Sequence, residues 1–149
     1  MNVGPRRTTS SAFASRAALR SGQIVVALHG LVHLLGTVAY LRIAQIPELP
    51  YKTALLGGRI EVGDLGMALF GVAWGVVGVA FVALAAASWT GWRGTRTWLA
   101  LTAAASLILT LVDLEVAAVG ALIDVVILTA LAAGPTALRR LAARGRGSA

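Results

Sequence analysis

Ile24-Val25-Val26-Ala27-Leu28-His29-Gly30-Leu31-Val32-His33-Leu34-Leu35-Gly36-Thr37-Val38-Ala39-Tyr40-Leu41 contains no Asp, Glu, Lys or Arg, and it holds both histidines of the chain. An apolar run of this length reaches the span of a bilayer, which takes about 20 helical residues with a range of about 17–25. The two histidines lie one helical turn apart, so they share one face of whatever helix forms here. The rest of the sequence reads as scaffold around this segment.

The remaining composition agrees. Of 149 residues, 58% are hydrophobic and 13% charged, against soluble averages of about 45–50% and about 25%. Too little polar surface is left to cover a water-soluble core, so a membrane protein is expected. The net charge of +7 does not point to nucleic acid. Its arginines flank apolar runs and have no interleaved aromatics to stack on bases. With no cysteine in the chain, thiol catalysis, disulfides and cysteine-ligated metals are excluded.

Four spans are expected, at about 24–43, 65–88, 97–112 and 116–133. Pro47 and Pro50 should end the first, because proline lacks an amide donor and disfavours helix in the residue before it. The polar loop 44–63 is long for a helix connection and is expected over the mouth of the bundle. Asp64 is placed to cap the second helix, where a carboxylate accepts orphan amides. Gly71, Gly75 and Gly78 offer a small-residue strip for close helix packing. Trp89, Trp92 and Trp98 bracket a basic turn with Arg93 and Arg96, as in an interfacial aromatic belt.

The run 97–133 is too long for one span and should turn at Asp113-Leu114-Glu115, with Asp113 capping the fourth helix. Gly134-Pro135 should stop that helix. Residues 1–22 read as a flexible basic cytoplasmic tail, with an organellar targeting segment as the alternative. Residues 135–149 read as a second basic tail resting on anionic lipid headgroups.

Orientation follows from lysine and arginine counting. With the N-terminus inside, ten basic residues fall on cytoplasmic segments and three (Arg42, Lys52 and Arg59) on outer loops. The fold expected is therefore all-α, a four-helix transmembrane bundle with both termini cytoplasmic, in the plasma membrane.

Three ionisable residues fall within the spans: His29, His33 and Asp124. A charge at mid-bilayer costs about 2.5–3.5 kcal/mol on insertion scales, so such groups face the bundle and find partners. Counting rises from the helix ends puts His33 and Asp124 at similar depth, and a His33–Asp124 contact is expected as the intramembrane polar pair. His29, His33 and Asp124 together form the candidate ligand or proton site.

A metal is not expected. The histidines sit i, i+4 and could chelate, but Gly30 stands where a zinc protease carries its glutamate, and the third ligand could only be Asp124 or a loop carboxylate. Haem is not expected either, because two histidines on one turn cannot bind opposite faces of one iron. Thr102, Ser106 and Thr110 read as ordinary helix hydroxyls bonding the preceding turn. No serine occupies a nucleophile elbow, and no glycine-rich loop matches a phosphate cradle.

His29-Gly30-Leu31-Val32-His33-Leu34-Leu35-Gly36, then Ile46-Pro47-Glu48-Leu49, the tryptophan-flanked turn, and Ser106 through Gly120 to Asp124 follow a recognisable order. In it the chain resembles small bacterial four-span membrane proteins similar in layout to DoxX-like proteins. The resemblance covers most of residues 25–132. It departs at Asp113-Leu114-Glu115, where a tryptophan-containing turn is more usual, and at Asp124, where an amide is common. It implies a bacterial inner-membrane address and a bundle, and lends no activity. The expectation is a non-enzymatic accessory or structural subunit that packs against a larger membrane protein or itself. The alternative is a small transporter or redox accessory protein using the His/Asp site.

Overall fold

A computed structural model gives the fold over residues 8–146, with side-chain surroundings for residues 17 and 19–134. The chain runs α1 (Thr8–Tyr40), β1 (Ala54–Leu55), β2 (Ile60–Glu61), α2 (Gly63–Trp89), α3 (Thr95–Val112) and α4 (Leu114–Arg146). Among the described residues, four helical stretches are long and apolar enough to cross a membrane: Leu19–Tyr40, Gly63–Trp89, Thr95–Val112 and Leu114–Gly134.

Packing inverts the soluble pattern. Large apolar side chains such as Leu28, Leu31, Leu69, Val76, Leu122 and Val126 point outward, while His29, His33, Ser106, Thr110, Asp113 and Asp124 are buried. Water would penalise that outer surface, and hydrocarbon would not.

Antiparallel pairs α1–α2 and α3–α4 build the bundle. The first is drawn together by glycines. A Cβ built on Gly30 would lie 2.8 Å from the Gly78 carbonyl oxygen, and one on Gly78 would lie 2.8 Å from the Gly30 carbonyl oxygen, so backbone meets backbone. Gly71 faces Tyr40 and Gly75 faces Thr37. The strip Gly71, Gly75 and Gly78 thus packs inside the chain, against α1. Two apolar clusters fill the remainder. One is built around Val26, Val77, Phe81, Ala103 and Ile127, the other around Tyr40, Leu55, Met67, Trp74 and Ala117.

Several boundaries differ from expectation. The helix of α1 already begins at Thr8, so residues 8–22 are helical where a flexible tail was expected. No Pro or Gly interrupts Thr8–Ser21, and Ala, Leu and Arg there favour helix. The expectation for residues 1–7, and those for the side chains of Arg16, Arg139, Arg140, Arg144 and Arg146, lie outside the described residues.

The same helix ends at Tyr40, upstream of Pro47. Arg42 takes a left-handed conformation (φ 56), and the amides of Arg42 and Ile43 fold back onto the carbonyls of Ala39 and Val38. This is a Schellman stop, normally built on glycine. The strained Arg42 is held by its own side chain, which reaches Asp64 at 2.5 Å and lies over the Tyr51 ring at 3.9 Å.

Gly134-Pro135 does not stop α4, which continues to Arg146. Proline at 135 has no amide to offer the Leu131 carbonyl one turn back. Arg96 of α3 donates to that carbonyl instead. The defect is thereby satisfied from a neighbouring helix, and the helix persists.

Neither predicted cap uses its carboxylate. Asp64 lies inside the first turn of α2, whose cap position is Val62 with no side-chain bond. Its carboxylate serves Arg42 and Tyr51 instead. Asp113 is the single non-helical residue between α3 and α4, and its backbone carbonyl accepts from Val116 and Ala117. Its side chain is taken by Tyr40 and Lys52, stronger partners than a backbone amide. The loop 41–62 does close over this end of the bundle. Leu55 is buried among Tyr40, Met67 and Trp74, and the Leu56 amide donates to the Val112 carbonyl.

Candidate functional site: a buried histidine–aspartate cluster

Two helices supply polar stripes with one spacing. On α1 the inward face carries His29, His33, Thr37 and Tyr40. On α3 it carries Thr102, Ser106 and Thr110, and continues to Asp113. Steps of four, four and three residues keep a single face turned inward through three helical turns. Against these stripes α4 presents Ala117, Gly120 and Ala121, whose small side chains bring Asp124 close.

Asp124 is fully buried, and three groups surround its carboxylate. His29 Nε2 lies 2.9 Å from Oδ1, Ser106 Oγ lies 2.7 Å from Oδ2, and Thr110 Oγ1 lies 3.4 Å from the same oxygen. His33 does not touch Asp124 directly. Its Nε2 meets Ser106 Oγ at 2.8 Å, and its Nδ1–H donates to the His29 carbonyl at 3.1 Å. The expected pair is therefore corrected: His29 is the direct partner of Asp124, and His33 is joined to it through Ser106.

The reason is geometric. Tyr40 and Asp113 are hydrogen-bonded and mark one level in the bundle. His29 lies eleven residues before Tyr40, and Asp124 eleven residues after Asp113. At the helical rise both sit about 16 Å below that level. His33 is one turn too high.

Aromatic rings from α2 close the site. Trp74 stacks on His33 with centroids 4.7 Å apart and an interplanar angle of 28°. Phe81 presents its edge to His29 at 5.0 Å and to His33 at 5.8 Å. These rings cover both imidazoles from the α2 side. Among the described residues the buried Trp74 indole Nε1 finds no hydrogen-bond partner.

A second polar group sits at the loop end. Buried Asp113 accepts from Tyr40 and from Lys52, whose ammonium also lies 3.8 Å from Glu115. Exposed Asp64 accepts from Arg42 and from Tyr51 at 2.7 Å. The hydrogen bond to the Asp64 carboxylate raises the Tyr51 phenol above its ordinary range, and the Arg42 charge opposes that rise.

The cluster is not a catalytic triad. In a triad the histidine bridges serine and carboxylate through its two nitrogens. Here the serine-bound histidine turns its second nitrogen to a backbone carbonyl, and the serine itself touches the carboxylate. Among the described residues no group of three His, Asp or Glu side chains is arranged to hold a metal. What the arrangement can do is bind and relay protons across a serine hydroxyl.

Ser106 and Thr110 were not among the expected site residues. Their signal was the i, i+4, i+8 repetition of Thr102, Ser106 and Thr110 along an otherwise apolar helix. Comparison of the chain with protein-family models, curated proteins and solved structures found no match. The site is accordingly interpreted from its geometry.

Proposed function

We propose that the protein is a multi-pass integral protein of the plasma membrane, with both termini cytoplasmic, acting without catalysis as an accessory or structural subunit. One observation carries this reading: the polar groups are gathered inside and the large apolar side chains turned outward. The cluster then serves as a clamp. His29 and His33 of α1 are tied to Ser106 of α3 and Asp124 of α4, which joins the two helical hairpins.

Anionic lipid headgroups complement the basic end of the bundle, where Arg20, Arg93 and Arg96 lie. Every acid of the chain except Asp124 belongs to the loop end or its loop. The outward apolar faces give the subunit its contact with lipid and with a larger membrane protein. The resemblance in layout to DoxX-like proteins supports a bacterial membrane.

Orientation is tested with single cysteines, which the cysteine-free chain reports without background. In intact cells, Gln45→Cys should react with a membrane-impermeant maleimide and Thr90→Cys should react only after lysis. The opposite pattern refutes the orientation. The accessory role is tested by crosslinking in native membranes. A stoichiometric larger partner is expected, and a chain that crosslinks to nothing refutes it.

A small transporter is the second reading, and one feature favours it. An apolar groove of about 540 Å³ is lined from all four helices, Val26, Leu84, Leu99 and Ile127 among the lining residues. Val26 and Ile127 are each about one helical turn from His29 and Asp124. Solute uptake by the purified protein in liposomes, abolished by Asp124→Asn, would establish that reading over the first.

A further inference from the structure

Hydrogen counting in the cluster shows one proton more than its neutral histidines and an ionised carboxylate would supply. His33 Nδ1 faces a backbone carbonyl, an obligate acceptor, so that nitrogen carries a hydrogen. If His33 is neutral, its Nε2 is then an acceptor. Ser106 Oγ lies 2.8 Å from that nitrogen and 2.7 Å from Asp124 Oδ2, yet a serine hydroxyl has one hydrogen to give. With neutral His33 and ionised Asp124, one of these short contacts sets lone pair against lone pair. The way the His29–Asp124 bond is drawn does not alter the count, because that bond uses the other carboxylate oxygen. Both contacts are satisfied only when a further proton sits on Asp124 Oδ2 or on His33 Nε2.

From this geometry we infer that the cluster is a proton-binding site, holding one proton shared between Asp124 and His33 through the Ser106 hydroxyl. In one arrangement His33 is imidazolium. Its Nε2–H donates to Ser106, and Ser106 donates to the Asp124 carboxylate. In the other, His33 and Asp124 are both neutral, the carboxyl O–H donates to Ser106, and Ser106 donates to His33 Nε2. They interconvert when one proton leaves His33 Nε2 for Ser106 Oγ while the serine proton passes to Asp124 Oδ2. No heavy atom need move, and the serine keeps one hydrogen throughout.

The groups facing the cluster are His29 and His33 from α1, the non-titrating rings of Trp74 and Phe81 from α2, the hydroxyls of Ser106 and Thr110 from α3, and Asp124 from α4. Among the described residues no Lys or Arg pairs with Asp124. Neutral His29 and the shared proton leave the whole cluster uncharged, as a buried site in hydrocarbon requires. When the proton leaves, Ser106 keeps its charge-assisted bond to the carboxylate and releases His33. One of the ties between α1 and the α3–α4 pair opens, while His29–Asp124 holds. The clamp therefore responds to protons, whatever partner the protein serves.

The test uses the full chain in micelles, labelled with ¹⁵N-histidine and ¹³C-aspartate. Near neutral pH, either an imidazolium pattern at His33 or a protonated carboxyl band from Asp124 is expected, with loss of one proton per chain on alkaline titration. Neutral His33 together with an ionised Asp124 at that pH overturns the proposal. In Asp124→Asn the amide donates to Ser106 and Ser106 to His33, so the network closes without the extra proton. His33 should then be neutral near neutral pH with no cluster proton lost on alkaline titration, and a His33 imidazolium at that pH, or loss of the same proton as in wild type, overturns the proposal. Should that variant fail to fold, Ser106→Ala removes the bridge alone. It should uncouple the His33 signal from the carboxyl band, and their continued joint titration overturns the proposal. The chain has two histidines and three aspartates, so the Asp124→Asn and Ser106→Ala spectra assign the wild-type signals to His33 and Asp124.

Discussion

Replacing His29 with leucine separates a direct His29–Asp124 bond from a direct His33–Asp124 bond. Leucine fills much of the imidazole's volume and removes the donor 2.9 Å from Asp124 Oδ1. The loss has two parts. One is the interhelical bond, which in membranes averages about 0.6 kcal/mol with a maximum near 1.7. The other is the orphaned oxygen of a fully buried carboxylate, which costs about 1–3 kcal/mol.

The single variant should therefore lose about 2–4 kcal/mol of stability. Because the oxygen disappears with the side chain, His29→Leu should cost much less in an Asp124→Ala background. The coupling of that cycle is expected at about 1–3 kcal/mol. A parallel cycle of His33→Leu with Asp124→Ala should give a smaller coupling, since Ser106 intervenes. The assay is equilibrium unfolding in mixed micelles of lipid and denaturing detergent, followed by circular dichroism and by the fluorescence of Trp74 and its companions. A His33 coupling larger than the His29 coupling would refute the assignment.

Other perturbations test the frame around the site. Gly30→Ala puts a methyl 2.8 Å from the Gly78 carbonyl oxygen, so overpacking of about 1–3 kcal/mol is expected. Gly22→Ala, with nothing within 4 Å, should be neutral or stabilising by about 0.5–1 kcal/mol; thermal unfolding of both variants checks the contrast. Arg96→Ala should uncover the Leu131 carbonyl and speed amide exchange in the turns of α4 around Pro135, whereas Arg96→Lys should restore part of the protection. Tyr51 should ionise above the ordinary tyrosine range. Its neutral phenol contributes to the loop below that range, and the contribution is lost as pH rises through the raised value. Asp64→Asn should return Tyr51 toward the ordinary range, as followed by tyrosinate absorbance.

Four spans were legible because apolar runs of bilayer length are a strong signal and Asp113 interrupts the last long run. Helix ends were less legible, and each miss has a cause remote in sequence. The stop at Tyr40 depends on Arg42 holding a glycine-like conformation through Asp64, and passage through Pro135 depends on an arginine in another helix. His29, His33 and Asp124 stood out as ionisable groups in apolar helices. Their pairing did not, because the apolar run begins at Val116, three residues beyond Asp113, and it is Asp113 that lies level with Tyr40. That offset is almost one turn, the distance between His29 and His33. Ser106 reads in sequence as an ordinary hydroxyl, because in an apolar helix such a group usually bonds its own backbone, and only the repeating stripe distinguishes it.

The bond between His29 and Asp124 links residues separated by 95 positions, and this bears on how the protein is made. Asp124 is the last acid in the chain, so both histidines enter the bilayer long before their carboxylate is synthesised. As neutral imidazoles they can wait there at modest cost, with the glycine-lined contact of α1 and α2 already able to form. When α3 and α4 arrive as a second hairpin, Asp124 completes the set. A nascent chain released before α4 would leave Ser106 and both imidazoles facing lipid or one another, a visible flaw for membrane proteases. The cluster can therefore close only after α4 has been made.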